Sequence, residues 1–206
     1  MELMKLTVTE FINAAGSSEP TPGGGAIAAV TAATGAALAE MVANLTIGKK
    51  NYEAVEAEMV ELKDKAVFIH KRALELAQAD VNAFNVFMDA LALPKETDEE
   101  KEVRKAALQD AYKHAGSVPF EIGELAHKIL DIAELAVSKG NKNLVTDGAI
   151  AAINARAAVK AAFLNVRINL IGIKDEAFVK TMKEKMEAIE SDLDSREAAI
   201  IGQCNL

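Results

Sequence analysis

PTPGGGAIAAVTAATGAALAEMVANL, residues Pro20 to Leu45, is the stretch that decides the fold. Each of its two prolines fixes its own φ and lacks an N–H, so the segment opens as a stiff loop. Gly23, Gly24 and Gly25 then let the backbone come close to a neighbouring group. The run that follows carries no charge before Glu40 and consists mostly of Ala, Thr and Gly. Ala28, Ala32, Gly35 and Ala39 recur at helical spacing and make a small-residue face. Small side chains let helices approach closely, which suits a central helix or a subunit interface from about Gly25 to Leu45. The run has the length of a membrane span. Its two prolines, three glycines and alanine-rich body instead fit a buried, closely packed helix. A glycine loop feeding a helix leaves free N–H groups at the positive end of the dipole, where an anion can sit. The same glycines also serve a tight turn and close packing. No Gly-Lys-Ser/Thr follows, so this is not a phosphate-binding P-loop, and no strand precedes it as a dinucleotide fingerprint requires.

The rest of the chain reads as helix on both sides. Thr7-Val8-Thr9-Glu10 has the form of a capping box and predicts a short helix from Val8 to Ala15. Gly48 suits a left-handed helix end, and Asn51 is placed to cap a long third helix from Tyr52 to about Ala92, which Pro94 stops. Thr97-Asp98-Glu99-Glu100 is a second capping box. The helix it starts runs to about Ala115, with a kink or restart at Gly116 to Pro119 and a continuation to Val137, closed by Gly140. A polar loop, Asn141 to Gly148, precedes an apolar helix from Ala149 to about Leu170. A last helix, rich in Lys and Glu, spans Asp175 to about Ile201. No strand is convincing and no repeat stands out. The expectation is an all-α bundle of long helices forming one domain over residues 1–206.

Composition narrows the function. Aromatic residues make up 4% of the chain and there is no Trp, so the core must be aliphatic. The formal net charge of −8 argues against a nucleic-acid partner, because phosphate contacts need a basic face. Cys204, alone, forms no internal disulfide, which points to a reducing, cytoplasmic setting. Met1 to Asn13 has no long apolar core of a secretory signal. Neither a nucleic acid nor a membrane is an expected partner.

PTPGGGAIAA, NLTIGKKNYE, DVNAF and GNKNLVTDGAIAA...NVRINL follow one another along the chain. In this combination and order the sequence resembles the cyclodeaminase/cyclohydrolase family over nearly its whole length. That family includes the C-terminal domain of formimidoyltransferase-cyclodeaminase and free-standing methenyltetrahydrofolate cyclohydrolases. The resemblance implies an all-helical fold, a homodimer and a folate substrate, with no cofactor beyond tetrahydrofolate. With no formimidoyltransferase domain attached, the length fits the cyclohydrolase, which converts 5,10-methenyltetrahydrofolate and water to 10-formyltetrahydrofolate. The alternatives are the cyclodeaminase reaction, which closes the same bridge and expels ammonia, and a non-catalytic helical dimer that binds folate or a partner protein.

Methenyltetrahydrofolate carries a cation delocalised over N5, the bridging carbon and N10. A carboxylate beside it can hold the cation and take a proton from attacking water. Asp80 and Asp147 are the carboxylates inside the matching segments. Asp80 sits on an otherwise apolar helical stretch, where it serves either the chemistry or a hydrogen bond to another helix. Asp147 lies at a helix start and either caps it or binds the pterin. Lys49 and Lys50 are a basic pair that either holds the folate's glutamate carboxylates, or supplies one proton donor, or is a solvated helix end; the resemblance assigns Lys50 to catalysis with the two aspartates. Lys49 is either a substrate contact or a solvated helix end. Asn44, Asn143 and Asn165 are candidate hydrogen-bonding groups for substrate. Arg167 lies within an apolar helix and needs an anionic or carbonyl partner if buried. Pro22, Gly23, Gly24 and Gly25 shape the pocket wall or hold a carboxylate. Glu124-x-x-His127 has the spacing of a di-iron bundle but lacks a second such pair, so no metal is expected.

Overall fold

The computed structural model describes residues 2–205. Seven α-helices account for most of them: α1 Val8–Ala15, α2 Gly24–Asn44, α3 Glu56–Ala92, α4 Asp98–His127, α5 Ile129–Lys139, α6 Val145–Leu170 and α7 Glu176–Gly202. No strand occurs among the described residues. Both capping boxes form as read. Thr7 and Thr97 each accept a hydrogen bond from the N–H of the glutamate three residues on, which reaches back to the threonine N–H.

Helix α2 is the axis of the bundle. It packs on α3 along one side and on α6 along the other, and α4 closes the group by packing on both α3 and α6. Ala26, Ala28, Ala29, Ala32, Ala36, Ala39 and Ala43 are buried on several faces at once, as a helix must be when it is surrounded. Gly35 shows how close the approach is: a Cβ there would stand 3.0 Å from Asn154 Cβ and 3.2 Å from the Ala151 carbonyl of α6. Helices α2 and α6 are each long and apolar enough to cross a membrane, yet here they are each other's neighbours in the core. Helices α5 and α7 cover the outer side of α6.

Three boundaries differ from expectation. Asn51 does not cap α3. It takes a left-handed conformation (φ 74°), as does Gly48 (φ 71°), and α3 begins at Glu56 after one 3-10 turn. Two left-handed residues so close together prevent an earlier start, and asparagine tolerates that region better than other side chains. Helix α6 begins at Val145 rather than Ala149, so Thr146 and Asp147 lie in its first turn and neither caps it. Most informative is α4, which neither stops nor restarts at Gly116 to Pro119 but continues to His127, the break coming at Lys128. Pro119 has no N–H to give the carbonyl of Ala115, four residues back. That carbonyl instead accepts a hydrogen bond from Asn169 Nδ2 of α6 at 3.0 Å. The same amide nitrogen also donates to the Asn165 carbonyl at 2.8 Å.

Asn169 thus repairs the gap that Pro119 opens, and it does so beside a cavity that it also lines. Asn169→Ala leaves a half-buried carbonyl unpaired, which costs about 1–3 kcal/mol. In a chain of this size that is expected to lower the thermal midpoint by roughly 2–4 °C per kcal/mol. An unchanged midpoint would show that Ala115 is satisfied in another way.

Candidate active site

The cavity, of about 580 Å³, lies where the start of α2 meets the last third of α3 and the C-terminal half of α6. Its polar groups include Thr21, Asp80, Asn165, Asn169 and the backbone around Gly23 to Gly25, and its aromatic wall is Phe84, Phe87 and Tyr112. That volume is within the ordinary range for a small-molecule site.

The glycine loop acts here through close approach. Gly23 flanks α2 without any side-chain cap, so the first N–H groups of that helix remain available. A Cβ on Gly25 would stand 2.1 Å from Asp80 Oδ1 and 2.4 Å from its Cγ. A Cβ on Gly24 would stand 3.1 Å from Asn165 Nδ2. Two adjacent glycines therefore let a carboxylate from α3 and an amide from α6 press against the start of α2. Asn165 is held by its own helix, its Nδ2 donating to the Ala161 carbonyl at 2.9 Å.

Asp80 is mostly withdrawn from water, and this burial raises its pKa, while the backbone N–H of Ala26 acts in the opposite sense. Among the described residues no cation contributes to the balance. The carboxylate is thus uncompensated except by the helix amide, in a pocket with aromatic walls. A delocalised organic cation would meet there an acceptor for its charge, and the same carboxylate, made more basic by burial, is placed to take a proton from attacking water.

The sequence-derived candidates separate into two groups. Gly23, Gly24, Gly25, Asp80 and Asn165 line the cavity. Pro22, next to Gly23 in the chain, is buried and is not part of the lining. Asn44, Lys49, Lys50, Asn143 and Asp147 lie at the other end of the bundle. Twenty helical residues separate Gly24 from Asn44, about 30 Å at 1.5 Å per residue. Asp147 and Asn165, on one helix, are separated by about 27 Å on the same rule. The distant group is itself well ordered. Asn141 Nδ2 donates to the Leu45 carbonyl at 3.2 Å, and the N–H of Lys142 donates to Tyr52 Oη at 3.0 Å. Lys50 and Asn143 are exposed there, and Lys49 Nζ stands 5.7 Å from the centre of the Tyr52 ring. Arg167 belongs to neither group. It is exposed, and its Nη2 pairs with Glu190 Oε2 of α7 at 2.6 Å. His127 pairs with Asp192 at 2.9 Å and ties α4 to α7.

Several lining residues escaped the sequence reading. Phe84 and Phe87 follow Asp80 at i+4 and i+7, so their shared face was available from spacing alone. Tyr112, on α4, and Asn169 were not, because only the packing of α4 on α6 brings them to the cavity. Pro119 was the available signal for Asn169, as a mid-helix proline leaves a carbonyl that needs a donor.

A profile of the formiminotransferase-cyclodeaminase family matches residues 7–188. A methenyltetrahydrofolate cyclohydrolase of Methylorubrum extorquens is 40% identical over 183 residues, which cover 89% of this chain and 88% of that protein. A formimidoyltransferase-cyclodeaminase of Sus scrofa is 31% identical over 199 residues, and the match spans only 37% of its length. Among solved structures, a formiminotetrahydrofolate cyclodeaminase from Thermotoga maritima superposes with a TM-score of 0.88 at 34% identity, over 98% of both chains.

The raised pKa of Asp80 has a consequence for stability. The folded chain holds this proton more tightly than the unfolded one, so ionising Asp80 destabilises the fold. The penalty is absent below the ordinary aspartate value of about 3.9 and complete above the raised one. Asp80→Asn, whose amide oxygen can still accept from Ala26, is expected to raise the melting midpoint at pH 7. That gain should fade as the pH falls toward about 4. Melting curves across this range check it, and a variant less stable than the parent at pH 7 would contradict it.

Proposed function

The chain belongs to the formiminotransferase-cyclodeaminase family, and from that premise we propose that it hydrolyses 5,10-methenyltetrahydrofolate to 10-formyltetrahydrofolate. The observation that carries this reading is the half-buried, cation-free carboxylate of Asp80 against the start of α2, lining an aromatic-walled cavity. The match over nearly the whole length of a cyclohydrolase relative supports this reaction over the alternative. Cyclodeamination of formiminotetrahydrofolate is the second reading, favoured by the match to the solved cyclodeaminase over 98% of both chains, at the lower identity of 34%.

Asp80 faces the positive N5–C–N10 bridge and stabilises its approach. As water attacks the carbon, a C–O bond forms and Asp80 accepts one water proton. The tetrahedral adduct then collapses: the C–N5 bond breaks, its electron pair stays on N5 and takes up a proton, and the hydroxyl oxygen loses its proton to become the formyl carbonyl. One proton is released overall. The first N–H groups of α2 and the Asn165 amide stand beside Asp80, where partial negative charge develops on the attacking oxygen. Phe84, Phe87 and Tyr112 hold the flat ring system and exclude water from it.

Lys50 and Asp147 reach such a site only from a second subunit, and the surface favours one. Ile150, Ile153, Leu164 and Ile168 form an exposed apolar stripe along α6, continued by Ile171 just past its end, with Ile27 of α2 also exposed. A stripe of this length on a surface helix marks an interaction face. Two copies packed antiparallel through it would set the Lys50–Asp147 end of one beside the Asp80 cavity of the other. The protein is accordingly proposed to act as a homodimer with composite sites, in the cytoplasm.

Two experiments test these readings. Purified protein is given methenyltetrahydrofolate near pH 7, with formiminotetrahydrofolate in parallel. Accelerated loss of the methenyl absorbance is expected, at least 100-fold weaker in Asp80→Asn. Ammonia release without methenyl loss would transfer the assignment to the cyclodeaminase, and neither activity would leave a binding protein. The composite site is tested by mixing inactive Asp80→Asn and Asp147→Asn chains under exchange conditions. About a quarter of parental activity should return, from one intact site in the mixed half of the dimers. No recovery, or a monomer mass by light scattering, would remove the shared site.

A further inference from the structure

Part of the cavity wall is not helix. A connector, Ile171 to Asp175, runs between α6 and α7, and its Ile171 and Gly172 line the cavity together with Tyr112 of α4. The connector starts as a turn: the N–H of Gly172 donates to the Asn169 carbonyl and that of Ile173 to the Leu170 carbonyl, both at 3.2 Å. Its other backbone groups need partners from elsewhere. Gln109 of α4 supplies two of them. Its Nε2 donates to the Gly172 carbonyl at 2.9 Å, and its Oε1 accepts from the Lys174 N–H at 2.7 Å. One amide side chain thus holds the connector at two points, using its donor and its acceptor together.

The same turn of α4 makes two more contacts. Gln109, Tyr112 and Lys113 stand at i, i+3 and i+4, so they share one face of the helix. Lys113 pairs with Asp175 at 2.8 Å, and Asp175 caps α7 by accepting from the Phe178 N–H at 3.0 Å. That ion pair is more than a third exposed and holds the connector only weakly. The directional hold therefore falls to Gln109. Tyr112 lies directly on the residue that Gln109 fixes: a Cβ on Gly172 would stand 2.5 Å from its Cζ. Its ring also packs on Phe87 of α3, with centres 4.8 Å apart. The place of the Tyr112 ring in the cavity thus depends on where Gly172 is held.

We propose that Gln109 is a positioning residue for the substrate: by fixing Gly172 it fixes the Tyr112 ring, and with it the grip of the cavity on the flat ring system of the folate. The inference rests on the folate reading of the cavity. Gln109 is not part of the lining, so it acts only through this wall. Asp80 is placed by a different contact, between α3 and Gly25 of α2. A looser grip on the ring weakens the ground state and the transition state alike, which raises KM and leaves kcat in place.

The test measures KM, kcat and the melting midpoint with whichever folate the parent turns over. Gln109→Met keeps the length of the side chain and removes both hydrogen bonds. Its KM is expected to rise roughly tenfold, with kcat within about twofold of the parent. A lower midpoint with unchanged KM would show that Gln109 serves only the fold, and a loss confined to kcat would place it in the chemistry; either overturns the inference. Gly172→Ala reaches the same ring from the other side. Gly172 is not left-handed, so the added Cβ strains the Tyr112 contact rather than the backbone, and KM should rise in the same way. If Gln109→Met fails to fold, this variant decides, and an unchanged KM in it rejects the proposal. In a Tyr112→Leu background, Gln109→Met should alter KM by less than about twofold, because the ring it positions is gone. A full tenfold effect there would show that Gln109 does not act through Tyr112. Turnover by the parent with KM unmoved in both single variants overturns this inference and leaves the hydrolase reading intact. A parent that turns over neither folate removes that reading, and this inference with it.

Discussion

The contact on which the site depends is a carboxylate lying directly on a glycine. Asp80 sits where the side chain of any other residue at position 25 would have to be. This forces α2 and α3 together at the level of the pocket, keeps water from most of the carboxylate and brings it to the free amides at the start of α2. The same contact explains the raised pKa, because burial without a cation disfavours the ionised form. A group in that state is costly to the fold.

The rest of the architecture keeps that contact in place. Alanine-rich α2 lets three long helices surround it at short range, so its first turn cannot move without disturbing a close-packed core. On the opposite wall, Pro119 interrupts the hydrogen-bond ladder of α4 and Asn169 restores it from α6. Helices α4 and α6 are thereby joined by a directional bond in addition to apolar contact. Asn169 in turn bonds the backbone of Asn165, the amide that rests on Gly24. Proline, asparagine and glycine, each awkward inside a helix, thus form one connected set around the cavity.

Much of this was legible in the sequence because the signals were local. Capping boxes at Thr7 and Thr97, the alanine-rich helix and the all-α class depend on a few neighbouring residues, and the structure has them all. The start of α3 was misjudged because Asn51 has two local uses, as a helix cap and as a left-handed residue, and only the path of the loop chooses between them. The path of α4 through Pro119 was illegible for a different reason: the donor that makes it possible is 50 positions away in sequence. The site shows the same division. Asp80 and the glycines stood out as locally odd, whereas Tyr112 is an ordinary helical residue until α4 is laid on α6. The ordered segments also drew Lys50 and Asp147 into one group with Asp80, although a helix as long as α2 separates the ends of the bundle.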